Sequence, residues 1–274
     1  MPQFKGWTIP GPLPPGASRP GDVPADESLD AISGHFRIYQ LRKGHRFSTD
    51  DVLTAWYGTT WVPSARRVLD LGSGIGSVGM IAAWRLPAAT FVTIEAQDDG
   101  VRLARKSAEY NGLLDRYDIR HGDFRDAQLL SAGERFDLVL GSPPYFPRGT
   151  GIEGEHPQKA ACRFELRGDI RDYCAVASAH IATGGVFACV FPEEQRARVE
   201  DAAAAAALVV VRRRAVVFRE GEPPLVTLFV MMRRDDLPPT IVTAWQEPPL
   251  VIRAADGSIH PEYAMVKLAV GFPP

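Results

Sequence analysis

The stretch that decides the fold reads Arg67-Val68-Leu69-Asp70-Leu71-Gly72-Ser73-Gly74-Ile75-Gly76. Its apolar first half is typical of a parallel strand that other parts of the chain cover on both faces. The glycines that follow let the backbone pass close to a ligand, and a helix predicted from about Ser77 offers N–H groups without partners in that helix. The stretch therefore predicts a strand, a ligand-binding turn and a helix, in that order.

The acid at the end of this strand indicates which ligand the turn binds. Gly74-x-Gly76-x-x-Gly79 also fits the dinucleotide fingerprint, so the glycines alone leave NAD as an alternative. Asp70 would repel a pyrophosphate, whereas it can hold the ammonium group of a bound amino acid such as the one in S-adenosylmethionine. We therefore predict S-adenosylmethionine as the cofactor. The residues of this stretch expected to contact it are Asp70, Gly72, Ser73, Gly74 and Gly76.

Composition limits the protein to one large core with at most a small appendage, since the chain has 274 residues of which 45% are apolar. The formal net charge of −2 does not indicate a nucleic-acid-binding protein, so such a role would depend on local basic patches. The three cysteines form no CxxC pair, which indicates a reducing compartment and neither a disulfide framework nor a metal site. With no visible signal peptide or membrane-spanning run, we expect a cytoplasmic protein.

The N-terminal residues differ in composition from the rest of the chain. Residues 1–26 are rich in Pro and Gly and are predicted to form a mobile arm, whereas residues 27–274 are predicted to form a single domain. Within that domain we expect residues 27–60 to cover the substrate and cofactor and residues 236–274 to pack back as a tail. The first segment contains a predicted strand over His35–Gln40 and then a helix capped at Ser48.

Acidic residues follow two further predicted strands. Glu95 ends the second strand about twenty residues beyond the glycine turn, where a carboxylate can accept both ribose hydroxyls of an adenosine. Asp123 follows the third strand and can accept a hydrogen bond from an adenine amino group while Phe124 packs near the ring, although an Asp after Gly is often only a turn residue. Asp50 and Ala96 complete the predicted cofactor contacts.

The fourth predicted strand, Phe136 to Gly141, ends in Ser142-Pro143-Pro144-Tyr145-Phe146. Consecutive prolines cannot continue a ladder and fix a rigid turn. The Ser142 hydroxyl, which we also place near the cofactor, and the Pro143 carbonyl can accept both hydrogens of an exocyclic amine. Tyr145 offers a face on which a flipped-out base can stack, worth roughly 1–3 kcal/mol. The alternative is a structural turn with a packed aromatic residue. The predicted catalytic residues are Ser142, Pro143, Pro144 and Tyr145.

The rest of the pattern predicts a doubly wound α/β fold. Arg148 to about Pro157 is glycine-rich and is expected to be a mobile substrate loop. A fifth strand over Gly185–Phe191 and a helix over Pro192–Ala207 precede an antiparallel hairpin of two strands. Strands that alternate with helices and close with a hairpin predict a mostly parallel, seven-stranded, Rossmann-like sheet with one reversed strand.

The sequence resembles the class I S-adenosylmethionine-dependent methyltransferases of the Asn-Pro-Pro-Tyr type, and within them the tRNA1(Val) adenine-N6 methyltransferase family. The residues that carry the resemblance are Glu27-Ser28-Leu29-Asp30, Gln40, Gly44-x-Arg46-Phe47-Ser48-x-Asp50, Val68 to Gly76, Ser142 to Phe146, Arg163-Phe164-Glu165, Gly257 and Glu262-Tyr263. This resemblance implies methyl transfer to N6 of the adenine at position 37 of a tRNA. We expect Tyr145, Phe146, Arg163 and Arg46 to bind that substrate.

One residue departs from the family pattern, because Ser142 stands where the family has Asn. Ser-Pro-Pro-Tyr is similar to the motif of cytosine-N4 DNA methyltransferases, so an amino nitrogen remains the expected methyl acceptor. The alternatives are a protein glutamine N5-methyltransferase or another small-substrate N-methyltransferase, an NAD-dependent oxidoreductase, and a non-catalytic RNA-binding protein in which Ser142 is the inactivating change.

Local basic patches are the expected RNA contacts, although a solvated sheet edge would explain some of them. The candidates are Arg212, Arg213, Arg214, Arg233 and Arg234 on the terminal hairpin and Arg37, Arg42, Lys43 and Arg46 near the N-terminus. We expect a protein that acts as a monomer, with a tRNA substrate and with neither a metal ion nor a membrane contact.

Overall fold

The computed structural model describes residues 3–4, 7–8, 23–147, 149, 158, 162–241 and 244–272. Most of the predicted N-terminal arm and almost all of the predicted substrate loop, Arg148 to about Pro157, lie outside the described residues. In the arm, strand β1 (Gln3–Phe4) pairs antiparallel with β2 (Trp7–Thr8).

An eight-stranded sheet organises the domain, with the strand order β12-β10-β11-β9-β8-β5-β6-β7. Its strands are β5 (Arg67–Leu71), β6 (Thr90–Glu95), β7 (Tyr117–His121), β8 (Phe136–Gly141), β9 (Ile181–Pro192), β10 (Leu208–Val217), β11 (Val226–Arg233) and β12 (Trp245–Val251). The five strands from β9 to β7 are parallel, and β11 runs antiparallel to both of its neighbours. This confirms a doubly wound α/β fold with a C-terminal antiparallel hairpin.

Helices cover both faces of the sheet. They are α1 (Thr49–Trp61), α2 (Ser77–Arg85), α3 (Asp98–Tyr110), α4 (Ile170–His180), α5 (Arg196–Ala205) and α6 (Pro261–Ala269). Successive residues of a strand point to opposite faces. Accordingly, Val68 packs into the core that contains α1 and α2, whereas Leu69 packs into the core that contains α4 and α5. Burial on both faces explains why β5 is a continuous apolar run.

Three elements differ from the sequence prediction. The sheet has an eighth strand because β12 pairs parallel with β10, and its prolines are tolerated there because β12 lies at an edge. The helix predicted over Pro192–Ala207 is shorter, since a 3₁₀ turn at Glu193–Gln195 precedes α5. The strand predicted at His35 is β4 (Phe36–Leu41), and it pairs antiparallel with an additional strand, β3 (Glu27–Ser33).

The carboxyl ends of the parallel strands mark where a ligand site is expected. β5 has β6 on one side and β8 on the other, so the chain order reverses at β5. In open α/β sheets, ligands bind outside the carboxyl ends of the strands at such a point. No helix in the described part of the chain has the length and apolar character needed to cross a membrane.

Candidate active site

A cavity of about 670 Å³ lies at the carboxyl ends of these strands, a volume typical of small-molecule sites. All but two of the residues predicted for the site line it. They are Asp50, Asp70, Gly72, Ser73, Gly74, Glu95, Ala96, Asp123, Phe124, Ser142, Pro143, Pro144, Tyr145, Phe146 and Arg163. The start of α1 and the segments after β5, β6, β7 and β8 therefore converge on one space.

The two predicted residues that do not line the cavity have other positions. Gly76 precedes α2 with a φ of 86°, a left-handed conformation that favours glycine, and so shapes the turn from outside the cavity. Arg46 donates hydrogen bonds to Ser28 Oγ and Asp30 Oδ2, each at 2.9 Å, within the segment that contains β3. The Arg46 side chain is thus held within this segment, and its expected contact with substrate stays a prediction.

The glycine turn is tightly fitted on one side and open on the other. Gly72 has a φ of 61°, and a Cβ atom there would lie 2.2 Å from the hydroxyl oxygen of Tyr173. At Gly74 a Cβ atom would meet nothing within 4 Å. The Ser73 hydroxyl is buried without a hydrogen-bond partner among the described residues. An open backbone beside an unpartnered buried hydroxyl suits the approach of a polar ligand.

Two strand-end acids hold the turn in place. Asp70 Oδ2 accepts a hydrogen bond of 2.9 Å from the Gly79 N–H in the first turn of α2. Glu95 accepts hydrogen bonds of 2.7 Å from the N–H groups of Gly74 and Gln97, one on each carboxylate oxygen. Glu95 therefore ties the end of β6 to the turn after β5. Each carboxylate oxygen has two lone pairs, so these bonds leave acceptor capacity for a ligand.

The cavity is strongly acidic. Burial raises the pKa of the Asp50, Asp51, Asp70 and Glu95 carboxyls, and the neighbouring Asp51 and Glu95 charges raise the pKa of Asp70 further. Carboxyls with raised pKa values around one space favour a cationic ligand, which would stabilise their ionised forms. Asp51 is an addition to the predicted set, and its position directly after Asp50 at a helix start was a visible signal.

The two residues predicted to contact adenine, Asp123 and Phe124, follow β7 and line the cavity. The hydrogen bond from Arg125 lowers the pKa of Asp123, and their side chains form an ion pair of 2.6 Å. The Phe124 ring lies edge-on to Tyr173 with 4.6 Å between the ring centroids. Asp123 thus stays ionised and keeps the acceptor character that an exocyclic amino group needs.

The Pro-Pro turn presents one free hydroxyl and one fixed tyrosine. Within the described part of the chain, the Ser142 hydroxyl has no hydrogen-bond partner, and Ser142 lines the cavity. The Tyr145 hydroxyl donates a hydrogen bond of 2.7 Å to Asp50 Oδ2. The next residue, Phe146, forms a parallel bridge with Phe164, and the Arg163 guanidinium lies 5.7 Å from the centroid of the Phe146 ring. Tyr145 and Phe146 are therefore held in place by their neighbours, while the Ser142 hydroxyl is open to a ligand.

Several cavity residues were not predicted because their places in the sequence carry no local signal. These are His45, Gln97, Cys162, Arg167, Tyr173, Glu194, Phe218 and Leu225. They come from segments far apart in the chain, and only the tertiary fold brings them together. Burial raises the pKa of the Cys162 thiol to about 12, which keeps it protonated near neutral pH. The described residues contain no group of His, Cys, Asp or Glu side chains that could hold a metal ion.

The basic patches predicted on the terminal hairpin are engaged within the protein. Arg213 pairs with Glu200 at 2.7 Å and Arg233 with Asp236 at 3.0 Å. Arg214 pairs with Glu262, and Arg212 stacks on Trp61 with 3.5 Å between the guanidinium carbon and the ring centroid. Near the N-terminus, Arg37 is buried. The hairpin arginines are therefore paired or stacked within the protein, whereas Arg42 and Lys43 are exposed, and RNA contact by these patches stays a prediction.

Comparison with known proteins shows which family the sequence matches. A family model for the methyltransferase small domain matches residues 54–159. The tRNA1(Val) (adenine(37)-N6)-methyltransferase of Porphyromonas gingivalis is 30% identical over 164 residues, which are 58% of this chain and 64% of that protein. The protein of the same name from Shewanella amazonensis is 31% identical over 168 residues, which are 61% of this chain and 69% of that protein. The chain thus spans slightly less than two thirds of the Porphyromonas relative.

Solved structures agree with the fold. A predicted O-methyltransferase from Agrobacterium tumefaciens superposes on this chain with a TM-score of 0.63 at 19% identity. The superposition covers 81% of this chain and 97% of the Agrobacterium chain. A ribosomal protein L11 methylase from Lactobacillus delbrueckii subsp. bulgaricus superposes with a TM-score of 0.50 at 16% identity. This superposition covers 69% of this chain and 81% of the methylase chain. At these identities the likeness concerns the fold alone.

Proposed function

Since the chain belongs to the tRNA1(Val) (adenine(37)-N6)-methyltransferase family, we propose that it transfers a methyl group from S-adenosylmethionine to N6 of an adenine in tRNA, at position 37 beside the anticodon. The observation that carries this proposal is the shared cavity of the acid-lined glycine turn and the Ser142–Tyr145 turn. One half of that cavity suits a cationic nucleoside cofactor and the other half suits a flat base that carries an amine.

The cavity residues fit S-adenosylmethionine, which when bound supplies an electrophilic methyl group on a sulfonium. Asp70, Glu95 and Asp123 all line the cavity. Asp70 would accept from the ammonium group, Glu95 from the ribose hydroxyls and Asp123 from the adenine amino group. The buried Ser73 hydroxyl, which lacks a partner among the described residues, gives the cofactor one more polar contact. NAD is a poorer fit, because buried carboxylates would repel its pyrophosphate.

The Pro-Pro turn would activate the target amine for methyl transfer. The lone pair of an exocyclic amine is conjugated with the base, so the amine is a weak nucleophile. When the Ser142 hydroxyl and the Pro143 carbonyl each accept one N–H hydrogen, the nitrogen moves toward tetrahedral geometry and its developing positive charge is stabilised. Tyr145 holds the base in position by stacking, which reduces the entropy lost on the way to the transition state. The cationic product loses its proton easily, so the site needs no general base.

An RNA substrate is supported by the cavity mouth rather than by the terminal hairpin. Arg163 and Arg167 are exposed residues of the cavity lining, and neither has a carboxylate partner among the described residues. The Arg167 charge reaches into the site, since it lowers the pKa of Asp123 after the larger effect of Arg125. Guanidinium groups at a cavity mouth can contact the phosphates that flank an extruded base. Such a substrate also places the protein in the cytoplasm.

Replacing these mouth arginines is expected to weaken RNA binding and its salt dependence. Each phosphate contact contributes about 0.7–0.9 to the slope of log affinity against log salt. Arg163→Gln combined with Arg167→Gln should therefore lower that slope by about 1.5, measured by fluorescence anisotropy with labelled tRNA. The matched control is Arg213→Gln, which removes an arginine already paired with Glu200. Equal slopes for the double variant and wild type would exclude the mouth as the phosphate-contact surface.

Cofactor binding is expected to weaken as the pH falls. The pKa values of Asp51, Asp70 and Glu95 are raised in the free protein, mainly by burial. A cationic ligand needs ionised carboxylates, so it displaces any protons they hold. Its affinity is therefore highest above the raised pKa values and falls by up to about tenfold for each pH unit and proton displaced below them. Calorimetry between about pH 5 and about pH 7.5 measures this, and a flat profile would contradict it.

The raised pKa values of these carboxyls also predict how the effect of the cofactor on the melting temperature depends on pH. A carboxyl with a raised folded-state pKa stabilises the free protein at low pH, and this contribution is lost as the pH rises through that pKa. The increase in melting temperature caused by S-adenosylmethionine should therefore be larger at about pH 7.5 than at about pH 5.5. Asp123 and Glu134 do not interfere, because their pKa values are lowered and they titrate at more acidic pH.

Nucleoside mass spectrometry tests the proposed function. Purified protein, S-adenosylmethionine and an unmodified tRNA1(Val) transcript should give N6-methyladenosine, located at position 37 by fragment mapping. A transcript with guanosine at that position is the control and should remain unmethylated. Methylated cytidine would move the acceptor to another base. Cofactor binding without methylation of any RNA would instead favour a non-catalytic RNA-binding protein or a protein glutamine methyltransferase.

A further inference from the structure

Asp50 was expected to bind the cofactor, but its contacts in the structure point elsewhere. It lies in the first turn of α1, and its Oδ2 atom accepts the hydrogen bond of 2.7 Å from the Tyr145 hydroxyl. These two residues are 95 positions apart in the sequence. The hydrogen bond therefore joins the start of α1 to the turn that would hold the target base.

The start of α1 does not need Asp50 as a cap. Ser48 and Asp51 form the capping box of this helix, and the Ser48 N–H donates a hydrogen bond of 2.9 Å to Asp51 Oδ2. Asp51 thus completes the local structure, whereas the Asp50 carboxylate is directed to the Pro-Pro-Tyr turn. The Asp50 side chain is half-buried, and a carboxylate partly withdrawn from water costs free energy unless hydrogen bonds compensate it. Its one described side-chain partner is the Tyr145 hydroxyl.

Tyr145 is held at three points. Its hydroxyl is bound to Asp50, and its ring lies edge-on to Phe191 with 5.7 Å between the centroids and an interplanar angle of 78°. Its carbonyl oxygen accepts a hydrogen bond of 3.1 Å from Gln195 Nε2. Phe191 and Gln195 fix the backbone and one edge of the ring. The Asp50 hydrogen bond holds the far end and so fixes the position of the ring, while the edge-on contact with Phe191 restrains rotation of the ring plane about the Cβ–Cγ bond.

We infer that Asp50 is a positioning residue for Tyr145, which sets the plane on which the target base stacks, and is not a ligand of the cofactor. This inference rests on the proposed function, because it assumes that a base occupies the space beside Tyr145. A phenol that has lost this acceptor can turn about its side-chain bonds, and a base would then find a mobile face. Loss of the hydrogen bond should therefore weaken substrate binding more than it weakens cofactor binding.

A double-mutant cycle tests the inference with three readouts, namely KM for tRNA, kcat, and the Kd for S-adenosylmethionine. Asp50→Ala and Tyr145→Phe each remove the hydrogen bond, and each should raise KM by about tenfold. The double variant should show nearly the same KM as either single variant, because one shared interaction is lost. Asp50→Asn keeps an acceptor oxygen and should restore KM to within about threefold of wild type. The Kd for S-adenosylmethionine should stay within about twofold in all four variants.

Tyr57→Phe is the matched control. The Tyr57 hydroxyl, on the same helix, donates a hydrogen bond of 2.6 Å to Glu247 outside the cavity. This variant should lower the melting temperature and leave KM unchanged. An Asp50→Ala variant that weakens cofactor binding while Tyr145→Phe does not would overturn the inference and make Asp50 a cofactor ligand. Additive effects in the double variant would also overturn it. Wild-type protein that binds the cofactor but methylates no tRNA would instead refute the proposed function.

Discussion

Ser142→Ala is expected to lower kcat by a factor of about 10²–10³, the size of effect seen when one preorganised transition-state contact is removed. The Ser142 hydroxyl lines the cavity and has no hydrogen-bond partner in the described residues, so it is available to the reacting amine. Its contact with the amine strengthens as positive charge develops on the nitrogen. The loss should therefore appear in kcat, while KM and the Kd for S-adenosylmethionine change much less. Single-turnover methyl transfer to an unmodified tRNA transcript measures it.

Two further variants make this result specific. Ser142→Asn restores the residue found in the Asn-Pro-Pro-Tyr motif and should retain activity if the cavity admits the longer side chain. Ser33→Ala removes a hydroxyl that is buried and lacks a partner among the described residues, and Ser33 lies in β3, outside the cavity lining. It should leave the single-turnover rate unchanged. Equal rates for wild type and Ser142→Ala would reduce Ser142 to a part of the turn and remove the chemical basis of the proposed mechanism.

The sequence predicts the strand-end part of this site well, for a physical reason. The carboxyl ends of parallel strands meet at one edge of a sheet, so residues that directly follow such strands must lie near each other. Asp70, Glu95, Asp123 and Ser142 each follow or end a parallel strand, and all of them line one cavity. Predicting where these strands end was therefore enough to predict that the four side chains lie near each other.

Contacts that depend on long-range packing could not be predicted in the same way. Charge is visible in a sequence, but the partner of a charge is not. Arg213 and Arg233 looked like a basic surface and are instead paired with Glu200 and Asp236. Asp50 is the same case within the site, because the Tyr145 hydroxyl that it binds comes from a turn that only the sheet brings into contact with α1.

The strand β12 illustrates a limit of another kind. Two consecutive prolines, Pro248 and Pro249, argue against a strand within the tail predicted over residues 236–274. The observed strand starts at Trp245 and lies at the edge of the sheet, where a missing N–H donor costs little. Edge and centre positions cannot be distinguished before the strand order is known, and the strand order depends on the whole fold.

Glu95→Ala is expected to weaken S-adenosylmethionine binding by about 1–3 kcal/mol, which is a factor of about 5–150 in Kd. The carboxylate would lose its contacts with the ribose hydroxyls. It would also release the N–H groups of Gly74 and Gln97, which it holds at 2.7 Å, so the glycine turn would lose its link to β6. Both effects act before any methyl transfer. The loss should therefore appear fully in the Kd measured by calorimetry in the absence of tRNA.

The conservative variant and a control separate these contributions. Glu95→Gln keeps one acceptor oxygen but turns an NH₂ donor toward one of the two backbone N–H groups, so its Kd should lie between those of wild type and Glu95→Ala. Glu134→Ala removes a carboxylate that is paired with Arg120 at 2.8 Å outside the cavity lining. It should lower the melting temperature and leave the Kd unchanged. A Glu95→Ala protein that is folded and binds the cofactor with wild-type affinity would remove Glu95 from the cofactor site. Recognition of the cofactor would then rest on Asp70 and the backbone of the turn.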